Sequence, residues 1–340
     1  MQSISLVSAA SYLPEDIVPN TFFTESIVDG EKAPNSNHPM FKGTEFRRHV
    51  AEGETAISML EQASRKLADR LNLDFAKDVD IILINTTVLD MPFTGCGAEL
   101  AHVLGAKPSW IIDVHNGGCV SFVYMMDIAR SLMASSGAKT AMICNVQNAA
   151  GRIFRHPENR KLPQSAVPGD GCGVGYLVAN DSSPVQSIVR RSYGEYAKDM
   201  TAVSDDGQKW WDPRETPMHI EFTENKLASI VGRGNKIVPE ALYAALKDAN
   251  ISMQDVDKLI TNQPNHTFLR NWRESVCVEE KNHIHTFPEH GNLFGAALPI
   301  SLARGIETGT LKKGDNLLLG GFAHAGDYAC GSVVHWQGGE

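Results

Sequence analysis

Segments with helical spacing of apolar residues alternate with continuous apolar segments along the first half of the chain. Residues 54–73 carry apolar side chains at helical spacing and lead into 78–87, which is almost wholly apolar. A continuous apolar run of this length is typical of a strand buried on both faces of a sheet. The strand-like segment 110–114 leads in turn into the helical run 120–133 and the apolar segment 140–145. The pattern predicts an α/β fold.

The second half of the chain repeats this order. Residues 255–262 follow the helix-patterned run 238–249, and they resemble 78–85, which also follow a helix. Farther on, the helical run 296–306 and the strand 316–322 correspond to a helix and a strand of the first half. An internal repeat of this size predicts two similar α/β halves related by a pseudo-twofold axis. Equivalent turns from the two halves are then expected to face one central site.

The chain is predicted to divide into three parts. Residues 1–180 form one half, residues 236–340 form the other, and residues 181–235 form a variable cap or linker. Within the cap, the segment 208–214 contains two tryptophans, including Trp210. The segment fits either a cap near a substrate entrance or an aromatic-anchored surface loop.

Composition and charge exclude several classes of function. The 340 residues carry a net charge of −9, which argues against a general nucleic-acid or anionic-membrane binder. Six scattered cysteines without paired spacing predict neither a metal site nor a disulfide framework, and they favour the reducing cytoplasm. Residues 3–10 fit a first strand better than a signal peptide, and no apolar run is long enough to span a bilayer. A cytoplasmic protein without a membrane segment is expected.

Cys119 is the candidate nucleophile because of its place in the pattern. The segment 113–119 ends an apolar strand, turns at two glycines and opens a helix at the cysteine. Unpaired backbone N–H groups and the helix macrodipole at such a turn favour a thiolate. The alternative is a small buried residue at a tight turn. Across the repeat, His290 and Asn292 lie in the turn expected to face Cys119.

Several ordered motifs over nearly the whole chain resemble the thiolase superfamily, and most of all its ketoacyl-ACP synthase III branch. The motifs are 46–51, 113–119, 169–171, 262–265, 290–292, 320–322 and 331–333. The resemblance implies a five-layered αβαβα fold of two duplicated halves, a homodimer and a role in fatty acid or polyketide biosynthesis. It also implies that Cys119 takes an acyl group from acyl-CoA or acyl carrier protein (ACP) as a thioester. Asn292 would then be the family's Asn, and no cofactor is needed beyond the CoA or ACP of the substrate.

The chain departs from that family at the catalytic His. Counting back from Asn292 without gaps, Asn262 stands where the family has a His. An amide cannot act as a general base. The candidates for a replacement are His290, His266, His115, and His324 with Asp327. A His–carboxylate pair beside a Cys would activate an incoming hydroxyl or amine.

The resemblance also supplies candidate substrate-binding residues. Arg47, Arg48 and Arg152 stand where relatives contact a CoA phosphate or a carrier protein, although exposed solvated arginines are the alternative. Phe294 and His324, together with Trp210, complete the expected set.

The expected function is an acyltransferase that loads Cys119 and passes the acyl group to a small-molecule acceptor. One alternative is a decarboxylative condensing enzyme that forms a C–C bond with malonyl-ACP, using His266 or His290 as the missing His. The other is a non-catalytic partner subunit that keeps the fold as a scaffold.

Overall fold

The computed structural model describes residues 2–24, 27–28, 31–32, 43–115, 117–213, 215–222 and 226–338. The strands are β1 (Ser5–Tyr12), β2 (Asp16–Pro19), β3 (Ile27–Val28), β4 (Glu31–Lys32), β5 (Phe46–His49), β6 (Ile81–Thr86), β7 (Trp110–Asp113), β8 (Thr140–Gln147), β9 (Gly171–Val178), β10 (Val185–Ser192), β11 (Met200–Val203), β12 (His219–Phe222), β13 (Lys258–Thr261), β14 (Asn316–Ala323) and β15 (Tyr328–His335). The helices are α1 (Thr21–Thr24), α2 (Ala56–Leu71), α3 (Phe75–Asp78), α4 (Gly97–Leu104), α5 (Ser121–Ser136), α6 (Leu227–Ala249), α7 (His266–Ser275), α8 (Phe287–His290) and α9 (Ala297–Glu307).

Two main sheets have the same internal order. The first runs β1-β9-β8-β6-β7 and the second runs β10-β15-β14-β13. In the first sheet, β1, β9 and β8 pair antiparallel, whereas β6 pairs parallel with both β8 and β7. In the second sheet, β10, β15 and β14 pair antiparallel, and β13 pairs parallel with β14. A parallel bridge from Leu259 to His283 stands in the second sheet where β7 stands in the first. The predicted duplication of two α/β halves is confirmed.

The repeat extends to single polar contacts. Asp80 precedes β6, and its carboxylate accepts the backbone N–H groups of Lys139 and Thr140 at the start of β8. Asp257 precedes β13 in the same way and accepts the backbone N–H of Asn316 at the start of β14. Equivalent aspartates therefore fix the same two strands in each half.

Three main apolar clusters form the core between five layers of secondary structure. The central cluster packs α5 and α9 between the facing sides of the two sheets. The second cluster packs α2 and α4 on the outer face of the first sheet. The third packs α6 and α7 on the outer face of the second sheet. This is the expected αβαβα arrangement, and it places the beginnings of α5 and α9 at the centre of the molecule.

The segment outside the repeated halves is shorter than the predicted 181–235. Residues of β10 already belong to the second sheet, and α6 begins at Leu227 with Pro239 inside it. Residues 193–226 remain, and their described part contains the two-stranded sheet of β11 and β12. Within the described residues, no helix combines the length and apolar character needed to cross a membrane.

Candidate functional site

A cavity of about 640 Å³ lies where the two halves meet. Cys119, Asn262, Asn292 and His324 all line it, and so does His115. Its walls are largely apolar, and their larger side chains are Phe154, Val167, Met200, Ile220, Phe222, Leu227, Ile230, Val231, Phe268, Phe294 and Phe322. No Lys, Arg, Asp or Glu of the described residues is part of the lining. The cavity therefore suits an uncharged apolar group.

Cys119 lies in a short 3₁₀ turn, Gly118–Val120, that runs directly into α5. Gly118 has a φ of +42°, a left-handed conformation that glycine adopts without strain. The Ser121 hydroxyl lies 2.7 Å from the Gly118 carbonyl and accepts a 2.6 Å hydrogen bond from Asn145. This buried contact holds the turn beneath the cysteine.

The equivalent turn of the second half, Phe294–Ala296, packs against the Cys119 turn. A Cβ added to Gly295 would lie 2.8 Å from the Gly118 carbonyl oxygen and 2.9 Å from Asn85 Oδ1. Glycine is therefore required at the point where the two halves touch. The expectation that equivalent turns face each other is confirmed for this pair.

The charge state of Cys119 differs from the one predicted for a helix N-terminus. Burial raises the pKa of the Cys119 thiol to about 12. The backbone N–H of His324, the Asn262 side chain and the backbone N–H of Cys119 lower that pKa, but less than burial raises it. Since desolvation disfavours the charged form, a base that takes the proton of the Cys119 thiol would favour its action as a nucleophile.

Asn262 is buried and held in one orientation. It follows β13, and its Oδ1 accepts the backbone N–H of Phe322 at 3.1 Å. That contact identifies Oδ1 as the acceptor, so the NH₂ group is the part that interacts with the Cys119 sulfur. Asn262 is thus a hydrogen-bond donor to the nucleophile.

Asn292 also reaches the cavity as a fixed amide. Its Oδ1 accepts the backbone N–H of Phe294 at 3.0 Å. Its main chain is anchored to Val167 and Gly169 by hydrogen bonds of 2.8 and 3.1 Å. Because Oδ1 is already engaged, the NH₂ group is the one available to a ligand.

His324 and Asp327 form a pair in the turn between β14 and β15. His324 Nδ1 lies 3.0 Å from each carboxylate oxygen of Asp327. On the other side of the ring, a Cβ added to Gly118 would lie 2.7 Å from Nε2. The sequence proposed His324 with Asp327 as one replacement for the missing His, with His324 also among the substrate-binding candidates, and the structure places the paired ring beside the residue that precedes Cys119.

His290 and His266 lie outside the cavity lining. His290 is only 6% exposed, and burial lowers its pKa to about 4. Its Nε2 lies 3.8 Å from Glu289 Oε2. His266 is the exposed first residue of α7, although its neighbours Asn265 and Thr267 line the cavity. The expectation that His290 shares the site with Asn292 does not match this placement. Of the two residues, only Asn292 lines the cavity.

Arg47 is buried rather than exposed for a phosphate. Its Nη1 and Nη2 donate to the Val18 carbonyl at 3.2 Å and to Asn20 Oδ1 at 2.6 Å. Its guanidinium lies over the Phe23 ring, and burial lowers its pKa to about 10. Arg47 is engaged in holding the N-terminal segment to β5, which corrects the predicted substrate-binding role.

Arg48 and Arg152 are also engaged within the chain. Arg48 donates to the carbonyl oxygens of Pro14 and Glu15, each at 3.1 Å. Arg152 pairs with Asp90 at 3.2 Å and donates to the Glu54 carbonyl at 2.9 Å. Neither arginine lines the cavity, so this structure does not match the predicted contacts with a CoA phosphate.

Of the two aromatic candidates, only Phe294 lines the cavity. Trp210 is 57% exposed and packs edge-on against Trp211. The cap instead reaches the cavity through Met200, Ile220 and Phe222 of β11 and β12, which sequence reasoning missed. These strands are too short to show a period.

Asn85 was also missed, although the sequence carried a signal for it. It occupies the position in 78–85 that Asn262 occupies in 255–262, and both line the cavity. Its Nδ2 donates to the Val114 carbonyl at 2.8 Å. No group of three or more His, Cys, Asp or Glu side chains in the described part of the chain is arranged to hold a metal ion.

Comparisons with known proteins find similar sequences over nearly the whole chain. The family model described as 3-oxoacyl-[acyl-carrier-protein (ACP)] synthase III C terminal matches residues 246–336. The beta-ketoacyl-[acyl-carrier-protein] synthase III of Clostridium perfringens is 26% identical over 332 residues, which cover 95% of this chain and 96% of the relative. The enzyme of the same name from Campylobacter jejuni is 26% identical over 343 residues and covers 100% of this chain and 99% of the relative.

Solved structures share the fold over almost the whole chain. The 3-oxoacyl-(acyl carrier protein) synthase III, FabH, of Pseudomonas aeruginosa superposes with a TM-score of 0.82 at 19% identity, covering 98% of both chains. Cerulenin-bound OleA of Xanthomonas campestris superposes with a TM-score of 0.80 at 18% identity, covering 98% of this chain and 97% of that one. The thiolase-like fold predicted from the motifs is confirmed.

Proposed function

We propose that this chain, which is similar to beta-ketoacyl-[acyl-carrier-protein] synthase III proteins over almost its whole length, is an acyltransferase working through Cys119. An acyl group from acyl-CoA or acyl-ACP is loaded on Cys119 as a thioester and then passed to a small-molecule acceptor. The observation that carries the proposal is the placing of Cys119 in a largely apolar cavity whose lining also includes Asn262, Asn292 and His324. A thioester on a cysteine divides one difficult transfer into two easier ones.

The donors around Cys119 support the loading step. The backbone N–H groups of His324 and Cys119 lower the pKa of the Cys119 thiol, so they favour negative charge beside the sulfur. Fixed N–H groups stabilise the negative charge that develops on the carbonyl oxygen of an acyl group under attack. The uncharged lining favours a neutral apolar acyl group over one that carries a carboxylate.

A second candidate function is decarboxylative condensation with malonyl-ACP. The favouring observation is that two fixed amides, Asn262 and Asn292, present NH₂ groups in the same cavity. Two such donors would stabilise the enolate oxygen that remains after loss of CO₂. The missing His at position 262 weighs against this candidate.

The loading step is tested by incubating the protein with acetyl-, butyryl-, hexanoyl- and octanoyl-CoA and measuring its intact mass. We expect an increase equal to one acyl group in the wild type and none in Cys119→Ala. Cys172→Ala is the matched control, since Cys172 is fully buried in the first sheet and lies outside the cavity. Its mass increase should equal that of the wild type. Absence of an adduct with every donor would favour the non-catalytic subunit.

The two candidate functions are separated by adding malonyl-ACP to the acylated protein. Release of CO₂ together with chain extension would establish condensation and reject the simple transferase. We expect no extension, and we expect the acyl group to leave Cys119 only when a hydroxyl or amine acceptor is supplied. Acyl-CoA and acyl-ACP are to be compared as donors in the same assay.

A homodimer and a cytoplasmic location belong to this proposal. Strand β7 ends the first sheet, and among the described residues its only strand partner is β6. Trp110 and Ile111 on β7 are each 40% exposed, and Phe93 is 93% exposed. An open strand edge beside exposed apolar side chains favours pairing with another chain. Six free cysteines are consistent with a reducing compartment.

A further inference from the structure

We infer that His324 and Asp327 are the acid–base pair that moves the protons in acyl transfer at Cys119. The inference rests on the proposed function and adds to it a base and a class of acceptor. In this scheme His324, oriented by Asp327, takes the role of the His that the family would carry at position 262.

The geometry fixes the tautomer of His324. Because a carboxylate only accepts hydrogen bonds, the 3.0 Å contacts with both Asp327 oxygens place a proton on Nδ1. The lone pair then lies on Nε2, the ring atom that faces Gly118. No hydrogen bond to Nε2 is formed by any of the residues that the structure describes. The nitrogen is thus available to a proton of Cys119 or of a ligand.

The turn that carries the pair is held in an uncommon conformation. His324 has a φ of +49°, a left-handed conformation that residues other than glycine adopt rarely. Arg233 donates from Nη1 to the Ala325 carbonyl at 2.6 Å and pairs through Nη2 with Asp199 at 2.8 Å. The backbone N–H of Tyr193 also donates to the Asp327 carbonyl. These contacts fix His324 toward the cavity.

The remaining candidates lack this arrangement. His115 lines the cavity, but no carboxylate of the described residues is paired with it. Asn262 and Asn292 are amides and carry no basic nitrogen. His266 and His290 lie outside the lining. His324 alone combines a place in the cavity with a carboxylate that orients its ring.

In the loading step, one proton passes from Cys119 through His324 to the departing CoA. His324 Nε2 removes the proton from the Cys119 thiol, and the sulfur attacks the carbonyl carbon of the acyl-CoA thioester. The bond from that carbon to the CoA sulfur breaks, and the departing CoA thiolate takes the proton from His324. Because burial raises the pKa of Cys119 to about 12, the thiolate is scarce without such a base.

The transfer step uses the same proton path with the acceptor in place of Cys119. His324 removes a proton from a hydroxyl, amine or thiol, whose O, N or S attacks the carbonyl carbon held by Cys119. The bond to the Cys119 sulfur breaks, and the sulfur receives the proton. A carbon nucleophile formed by loss of CO₂ has no proton to give up, so the pair favours a protic acceptor.

The test measures the reactivity of Cys119 against pH, first with iodoacetamide and then with octanoyl-CoA. In the wild type we expect both rates to reach a plateau as the pH is raised. In His324→Gln we expect both rates to be at least about 100-fold lower than in the wild type at neutral pH. These rates should rise about tenfold per pH unit, because hydroxide alone then forms the thiolate. In Asp327→Asn, which turns the tautomer, the plateau should shift. His102→Gln, on an exposed residue of α4, should match the wild type.

A second variant distinguishes loss of the imidazole from misfolding of the protein. His324→Gly relieves the positive φ, and added imidazole should restore much of the lost rate by occupying the vacated space. If His324→Gln keeps the wild-type rate and pH profile with iodoacetamide, the acid–base pair is rejected. If the variants lose reactivity as expected but no acyl-CoA loads the wild type, the pair stands and the proposed acyltransferase fails.

Discussion

At the scale of single residues, position 262 determines how Cys119 is held. The Asn262 side chain lowers the pKa of the Cys119 thiol, and since its oxygen is engaged by Phe322, its NH₂ group is the part that can donate to the sulfur. Asn262→Ala removes a donor to the thiolate, which is worth about 1.5 kcal/mol or more. We expect alkylation of Cys119 by iodoacetamide at pH 8 to slow about tenfold.

Two further variants test whether loss of the Asn262 NH₂ group is the cause of the slower alkylation of Cys119. Asn262→Asp keeps an acceptor for Phe322 but places a carboxylate near the sulfur, so it should slow alkylation more than Asn262→Ala. Asn271→Ala removes an amide that contacts Asn235 on the outer helices, and it should leave the rate unchanged. Wild-type reactivity in Asn262→Ala would show that the amide does not stabilise the thiolate.

Buried histidines make stability depend on pH. Burial, with Arg155 and Arg47 nearby, lowers the pKa of His49 to about 3, and neither ring nitrogen is hydrogen-bonded. The unfolded chain binds a proton at His49 below about pH 6.5 while the folded chain does not, so stability falls as pH falls. When the pH falls from 7.5 to 5.0, His49 alone should lower the free energy of unfolding by about 2 kcal/mol.

His49→Phe should remove that share of the pH dependence. The new ring would take the place of the imidazole that stands edge-on to Phe22 and Phe23. Urea unfolding at both pH values measures the difference, and His102→Gln, on an exposed histidine, serves as the control. An equal fall in stability in His49→Phe and in the wild type would contradict the assignment.

At the scale of elements, the contact between the two equivalent turns holds the site together. Gly295→Ala would place a methyl group 2.8 Å from both the Gly118 carbonyl oxygen and the Ser121 hydroxyl. Since the neighbours are backbone and a hydrogen-bonded side chain, we expect the turn that carries Cys119 to shift. Acylation should fall about tenfold or more, with a loss of stability of about 1 to 3 kcal/mol.

Gly194→Ala is the matched control for this contact. Gly194 has no positive φ, and a Cβ there would meet nothing within 4 Å. Thermal unfolding and acylation by octanoyl-CoA should be unchanged in this variant. Normal acylation in Gly295→Ala would mean that the two turns are not closely coupled.

The elements also show what the sequence could and could not predict. Continuous apolar strands and helical spacing predicted β6, β8 and α5 because burial on both faces leaves a clear pattern. The role of β10 was missed because the alternation of buried and exposed residues in 185–192 indicates a strand but does not show which of the two sheets the strand joins.

The sequence predicted which residues line the cavity only where the repeat determined their position. Cys119 follows from its turn, and Asn292 from the segment just before the turn that packs against it. The substrate-binding role predicted for Arg47 does not match the structure, because sequence cannot show that a basic side chain is buried against the Val18 carbonyl and the Phe23 ring. The pairing of His324 with Asp327 was open for the same reason, since it depends on the conformation of one turn.

At the scale of the whole molecule, the open edge of β7 leads to a prediction about assembly. If two copies pair along this edge, a charged side chain in its centre should prevent association, because strand edges bearing lysine resist pairing. We expect the wild type to have the mass of a dimer by light scattering and Ile111→Lys to have that of a monomer. Circular dichroism should confirm that the variant is folded.

Ile17→Lys provides the comparison that makes this prediction specific. Ile17 is 53% exposed on β2, away from the first sheet, so the added charge there should leave the dimer intact. Loss of the dimer in both variants would point to a general effect of charge rather than to β7. A dimer in Ile111→Lys, or a monomeric wild type at every concentration, would exclude pairing through this edge.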